Sequence, residues 1–329
     1  MSGSFERWAD ETATTALLVR AEGRTVVEID RPARGPGWIG LDGQVRLGDA
    51  TDGFGLPFEP LPDGRMRHDV ASAQKSVVAV LVAIAGDRGL IDLDDPVSDH
   101  LGPGWSQASP EQEAAVSIRH LMTMTSGLDD RLEYQVPPGT RWRYSLGPAW
   151  HLLKPVLAAA SGESLDALTR GWLTGPLAMD ETEWIPRPGM AYLDGTPFEA
   201  LLTSARDLSR FGQLVLDRGR IDDTEVVSTE SLTRLLTPSQ DLNPAYGLLW
   251  WLNGRRPHLV PMVDEPVEDV LLPDAPPDTV LALGAMGQIC AIAPSRSVVV
   301  VRLGGSTSGL MGGSMANDLW PMLDEVLPT

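Results

Sequence analysis

The sequence predicts an α+β fold: an antiparallel sheet, drawn from both ends of the chain and flanked by helices, with an inserted helical lobe. Two observations lead to it. Runs with β character cluster near the two ends, at 14–20, 25–29, 279–283, 288–293 and 297–303, and the long stretch between reads as helices and turns. Strands separated by such a block can bury their apolar face by joining in one sheet, with the helices set beside it. With 329 residues the chain can bury one large core or two closely joined lobes. We expect residues 1–70 and 205–329 to form the sheet-bearing lobe and 71–204 the helical lobe, with the site between them.

The runs at 14–20 and 25–29 are joined by Ala21-Glu22-Gly23-Arg24 and read as a hairpin. Residues 31–67 are crowded with proline and glycine, which predicts an irregular wrap with short strands. Within it, Gly35-Pro-Gly37-Trp-Ile-Gly40 matches a dinucleotide-binding fingerprint. Pro36 interrupts it and no helical pattern follows, so we read the match as coincidence. A helix is expected from Ser72 to about Arg88, because Val77, Val80, Leu81 and Ile84 keep helical spacing and Gly89 can end it. Further helices are expected at 116–124, 148–160 and 164–173, and from the cap Ser204 to Leu216. A strand at 246–251 precedes the three C-terminal strands, and an amphipathic helix at 315–326 follows them. We find no internal repeat, and 261–277 is a Pro/Asp-rich loop.

A net charge of −19 with no basic cluster argues against a nucleic-acid partner. The longest apolar run, 77–85, is too short to span a bilayer, and the first ten residues lack the apolar core of a secretory signal. A cytoplasmic protein without a membrane partner is therefore expected. The single cysteine, Cys290, lies in an apolar strand, excludes an intrachain disulfide and fits a reducing compartment. His68, His100, His120, His151 and His258 show no metal-ligand spacing, so neither metal nor cofactor is expected. His120 reads as a packed or capping residue, and His68-Asp69 as polar residues of an exposed loop. No Gly-x-Ser-x-Gly elbow and no phosphate-binding loop occurs.

The tetrad Ser72-Ala73-Gln74-Lys75 carries the chemistry. A helix turns about 100° and rises about 1.5 Å per residue, so Lys75 lies one turn along on the face of Ser72. Burial disfavours an ammonium, so an apolar helix can keep the amine neutral and able to take the hydroxyl proton. The start of the same helix directs backbone N–H groups toward a developing oxyanion. Ser-x-x-Lys is a loose pattern, but the chain holds only two lysines, Lys75 and Lys154. With serine at about 7% of residues, chance supplies about 0.13 such matches.

Further segments fall in order around it: Ala71-Ser-Ala-Gln-Lys75-Ser, Gly89-Leu-Ile-Asp-Leu-Asp-Asp-Pro-Val97, Ile118-Arg-His-Leu-Met-Thr-Met-Thr-Ser-Gly127, and Pro137-Pro-Gly139 leading to Arg143-Tyr144-Ser145. Ser204-Ala-Arg-Asp-Leu-Ser-Arg-Phe-Gly212, Tyr246-Gly-Leu-Leu-Trp-Trp251 and Gly284-Ala-Met-Gly287-Gln288 complete the set. From about residue 68 to 303 the chain resembles the serine β-lactamase and penicillin-binding-protein superfamily. It is closest to the branch of class C-like esterases and nylon-oligomer (aminohexanoate dimer) hydrolases. The resemblance implies that Ser72 is the nucleophile, Lys75 its base and Tyr144 a proton shuttle. It also implies that the N–H groups of Ser72 and Ala285 form the oxyanion hole.

Two departures bear on substrate. Leu146 replaces the asparagine that commonly follows the family tyrosine and contacts a substrate amide. Ala282-Leu283-Gly284 supplies no cation for a substrate carboxylate. The connection from Gly127 to Tyr144 is also short, without the long loop of nylon-oligomer hydrolases. We expect Leu146, Trp251, Gly284 and Gln288 to contact substrate, with one ring of Trp250-Trp251 in the cleft and the other in the core. These features favour a carboxylesterase acting on small neutral esters. Amide or oligomer hydrolysis, lactam hydrolysis and acyl transfer are the alternatives, and a binding domain without turnover is the rival from another class.

Overall fold

The expected N-terminal hairpin is β1 (Thr14–Ala21) and β2 (Arg24–Asp30), preceded by a helix the sequence pattern does not announce, α1 (Gly3–Glu11). The computed structural model describes residues 3–32, 35–40, 42–48, 55–308 and 314–327. Parts of the proline- and glycine-rich wrap, at 33–34, 41 and 49–54, lie outside the described residues. What is described of it forms β3 (Gly37–Ile39), β4 (Val45–Leu47), β5 (Leu56–Pro60) and β6 (Met66–Asp69).

The sheet from both ends is present. β11 (Trp251–Leu252), β12 (Val280–Gly284), β13 (Gln288–Ala293) and β14 (Val298–Gly304) pair antiparallel, and β14 pairs with β1, giving the order β11-β12-β13-β14-β1-β2. β14 is buried at every position, which its valine run dictates for a strand covered on both faces. The strand expected at 246–251 is reduced to its last residue, because the chain turns back on itself: Gly247 N–H donates to Trp250 O at 2.9 Å and Leu249 adopts φ +60°.

A second sheet, absent from the sequence reading, has the order β4-β3-β5-β6-β8-β7. Its last two members are β7 (Glu183–Ala191) and β8 (Pro197–Ser204), where only helices and turns were expected up to residue 186. The physical reason is proline. Pro186 and Pro188 sit in β7, which as an edge strand tolerates residues that cannot donate to a ladder.

The helix at Ser72 opens with a 3-10 turn (Ala71–Ala73) and continues as α2 (Gln74–Asp87), buried from Gln74 to Ala85. A helix apolar on all sides belongs at the centre of the molecule. Around it stand α3 (Val97–Leu101), α4 (Pro110–Ala114) and α5 (Ile118–Met122), the last capped by Ser117 and His120. The helix expected at 148–160 divides into α6 (Pro148–His151) and α7 (Leu153–Ser161), followed by α8 (Leu165–Thr169). Ser204 caps α9 (Ala205–Leu216) by accepting from Asp207 N–H at 3.2 Å. A two-residue hairpin, β9 (Arg220–Ile221) and β10 (Thr224–Glu225), α10 (Thr229–Leu235) and the C-terminal α11 (Met315–Leu323) complete the fold. Among the described residues no helix is long and apolar enough to cross a membrane.

α9 lies on β13 and β14 at Gly212, where an added Cβ would stand 2.5 Å from Val299 Cγ1 and 3.1 Å from Cys290 Sγ. Alanine gains about 1 kcal/mol over glycine in helix propensity, but overpacking a core costs about 1–3 kcal/mol. Gly212→Ala is therefore expected to lower the urea midpoint of unfolding, and an unchanged or raised midpoint would contradict this packing.

Candidate active site

The nucleophile turn is set by the strand ends that meet it. Val70 N–H donates to Leu201 O at 3.1 Å, which docks the end of β6 on β8. Ala71 then takes φ +48°, a left-handed conformation disfavoured by its side chain, and so turns the chain into the 3-10 turn that carries Ser72. On the other side, β12 ends against this turn. A Cβ on Gly284 would lie 2.2 Å from Val70 O and 3.2 Å from Ala73 N, so only glycine allows the end of β12 to approach the turn that carries Ser72.

Lys75 Nζ lies 2.8 Å from Ser72 Oγ. The amine is 2% exposed and sits 4.5 Å from the ring centre of Tyr144 and 4.4 Å from that of Trp150. Burial drives its pKa well below the usual lysine value, reinforced by the positive charges of Arg187 and Lys154 and opposed by Asp130. The expected consequence is that the neutral amine, able to accept the serine proton, is populated at lower pH than in a free lysine.

Burial pushes the Tyr144 hydroxyl up to about 12, while its interaction with Ser72 pulls the other way. A phenol so placed is protonated at rest, which suits handing on a proton rather than standing as a phenolate. Its ring is held by Trp251, stacked at 5.6 Å, and by Tyr246, edge-on at 6.1 Å. Trp251 lines the cleft and Trp250 is fully buried against Phe211, so the two adjacent rings do divide between cleft and core.

These groups open on a cleft of about 510 Å³ walled by Ser72, Tyr144, Leu146, Trp251, Gly284 and Ala285, with Val260, Leu271 and Leu272 from the loop after Trp251. The wall is mostly apolar. Gln288 is not part of it: the side chain is fully buried, donating to Gly304 O at 2.7 Å and accepting from Gly304 N–H at 3.1 Å. The expectation that it contacts substrate is corrected accordingly, since both ends of its amide are committed to β14.

The sequence reading missed Arg187 and Met190, which β7 brings to the cleft. Arg187 supplies a cation where the motif residues offered none, but its charge is matched by Asp69, to which it donates from Nε at 3.0 Å and Nη2 at 2.6 Å. Nor are His68 and Asp69 exposed loop residues. Both are buried in β6, and burial together with Arg302 pushes the His68 ring down to about 3. Cys290 is core as expected, its thiol pushed up to about 12 by burial.

The family model described as Beta-lactamase matches residues 14–318. An uncharacterized protein of Alkalihalophilus pseudofirmus is 29% identical over 259 residues, 71% of this chain and 72% of that protein. Esterase EstB of Burkholderia gladioli is 29% identical over 174 residues, 40% of this chain and 44% of its own length. The D-alanyl-D-alanine-carboxypeptidase/endopeptidase AmpH of Escherichia coli is 26% identical over 185 residues, 47% of this chain and 46% of its own. The chain thus matches less than half the length of either named enzyme. The fold is that of a putative beta-lactamase from Bacteroides dorei, with TM-score 0.67, 18% identity, and coverage of 98% of this chain and 97% of that one.

Proposed function

The chain belongs to the Beta-lactamase family and is a hydrolytic enzyme, and from that premise we propose that it is a carboxylesterase forming an acyl-enzyme on Ser72 with small neutral esters. The observation that carries the reading is the 2.8 Å contact between the Ser72 hydroxyl and a buried amine. Ser72 Oγ attacks the ester carbonyl and its proton passes to Lys75. The N–H groups of Ser72 and Ala285 receive the oxyanion. As the tetrahedral intermediate collapses, the C–O bond to the alcohol breaks and Tyr144 relays the proton to the departing oxygen. Water then attacks the acyl-enzyme by the same steps in reverse order, releasing the acid and regenerating the serine hydroxyl.

Three features favour esters over lactams and amides. The Leu146 side chain cannot hydrogen-bond an amide, the cleft wall is mostly apolar, and its arginine is already paired with Asp69. An apolar pocket discriminates against a charged group that would lose its hydration on entry. Exposure to a fluorophosphonate should add one mass increment to the protein and none to Ser72→Ala. Turnover of p-nitrophenyl acetate should exceed that of nitrocefin and of the matching anilide. Labelling that persists in Ser72→Ala would refute the nucleophile, and nitrocefin turnover equal to that of the ester would refute the substrate class.

A further inference from the structure

Behind the nucleophile stands a buried polar group that none of the steps above uses. Ala71 is held at both ends of its backbone. Its N–H donates at 2.8 Å to Asp69 Oδ1, and that carboxylate is fixed by Arg187. Its carbonyl accepts at 2.9 Å from Gln74 Nε2, and the other end of that amide, Oε1, accepts at 3.0 Å from Lys154 Nζ. Lys154, 1% exposed, also donates to the Glu199 carbonyl and lies 3.1 Å from His151 Nδ1. Burial and neighbouring cations hold the His151 ring well below its usual pKa, so it is neutral and Nδ1 can accept. Lys154 Nζ thus has three polar partners, and burial lowers its pKa well below the usual lysine value, as it does that of Lys75. Lys154 is not among the residues lining the cleft, so it does not act by touching substrate.

We infer that Lys154 is a positioning residue: acting through Gln74 it fixes the Ala71 carbonyl, opposite the hold of Arg187 and Asp69 on the Ala71 N–H, and this two-sided clamp keeps the left-handed turn that aims Ser72 into the cleft. The inference rests on Ser72 being the nucleophile. A methionine would fill much of the same space without burying a polar amine, so packing alone does not call for lysine here. The two basic side chains of the clamp also lower the Lys75 pKa, and both amines approach the indole of Trp150, its centre 5.1 Å from Lys154 Nζ and 4.4 Å from that of Lys75.

The test measures the rate of fluorophosphonate labelling of Ser72, with kcat and KM for p-nitrophenyl acetate per labelled site, in Lys154→Met, Gln74→Leu and their double variant. Displacing a reacting atom by about 1 Å can cost about a hundredfold, so each single change should slow labelling by about ten- to a hundredfold. KM should stay within about twofold, and the double variant should be no slower than the slower single, because both act through one bond. Glycine holds a left-handed φ without side-chain cost, so adding Ala71→Gly to Lys154→Met should recover about fivefold, which a purely packing role would not. Labelling of either single variant within about twofold of the original, losses that multiply in the double, or no recovery with Ala71→Gly would each overturn the clamp. If Lys154→Met does not fold, Gln74→Leu with and without Ala71→Gly decides the matter. Failure of the unsubstituted protein to label at Ser72 would overturn the nucleophile together with the clamp, whereas labelling that the substitutions leave unchanged removes the clamp alone.

Discussion

Lys75→Arg is expected to slow acylation of Ser72 by about 10²–10⁴-fold, the range a general base contributes. The guanidinium can reach the hydroxyl, but it carries a fixed positive charge and does not give up its proton at any working pH. The burst of p-nitrophenol from p-nitrophenyl acetate measures the loss, and a burst rate within threefold of the unsubstituted protein would remove Lys75 as the base. The pH profile follows from the same group. Because burial lowers the lysine pKa, the neutral amine is already populated well below 10.5. The acylation rate should rise with pH through that lowered value and then level off. A rate still climbing near pH 10.5 would mean that the amine is not depressed.

Arg187→Met is expected to cost about 3–5 kcal/mol of stability, because it leaves the fully buried Asp69 carboxylate with the Ala71 N–H as its one hydrogen-bond donor among the described residues. The comparison with a surface pair decides that burial, not pairing as such, is responsible. Arg119 and Asp94 make a contact of similar length at 2.6 Å, but their side chains are 39% and 71% exposed. Arg119→Met should cost no more than about 1 kcal/mol. Urea unfolding measures both. Adding Asp69→Asn to Arg187→Met should restore much of the loss, because the uncompensated charge is gone. Equal midpoints for Arg187→Met and Arg119→Met would contradict the burial of the pair.

The parts of the site legible in the sequence are those set by local periodicity or by a fixed motif. Ser72 and Lys75 meet because they are one helical turn apart, and no tertiary information is needed to say so. Trp250 and Trp251 separate into core and cleft as strand alternation predicts, although Trp250 belongs to the turn from Gly247 and the strand begins only at Trp251. What stayed hidden depends on pairing across the chain. Asp69 reads as a loop residue until β6 is known to pair with β8, more than 130 residues later, and that pairing buries it. Arg187 lies in a strand whose prolines resemble a turn. Gln288 closes the motif segment that begins at Gly284, and along the chain it reads as a substrate contact. The carbonyl and N–H that claim its amide belong to Gly304, on the neighbouring strand, and spacing along the chain carries no sign of them.

The burial of Lys75 and Lys154 has a consequence for the outer surface. The chain contains no other lysine, and these two are 2% and 1% exposed. The surface therefore takes its lasting positive charge from guanidinium groups, and it presents no lysine ε-amine to acetylating or cross-linking reagents. An amine-directed reagent that reaches a lysine of the folded protein must first have entered the cleft or opened the core, so lysine modification in this molecule reports on its interior.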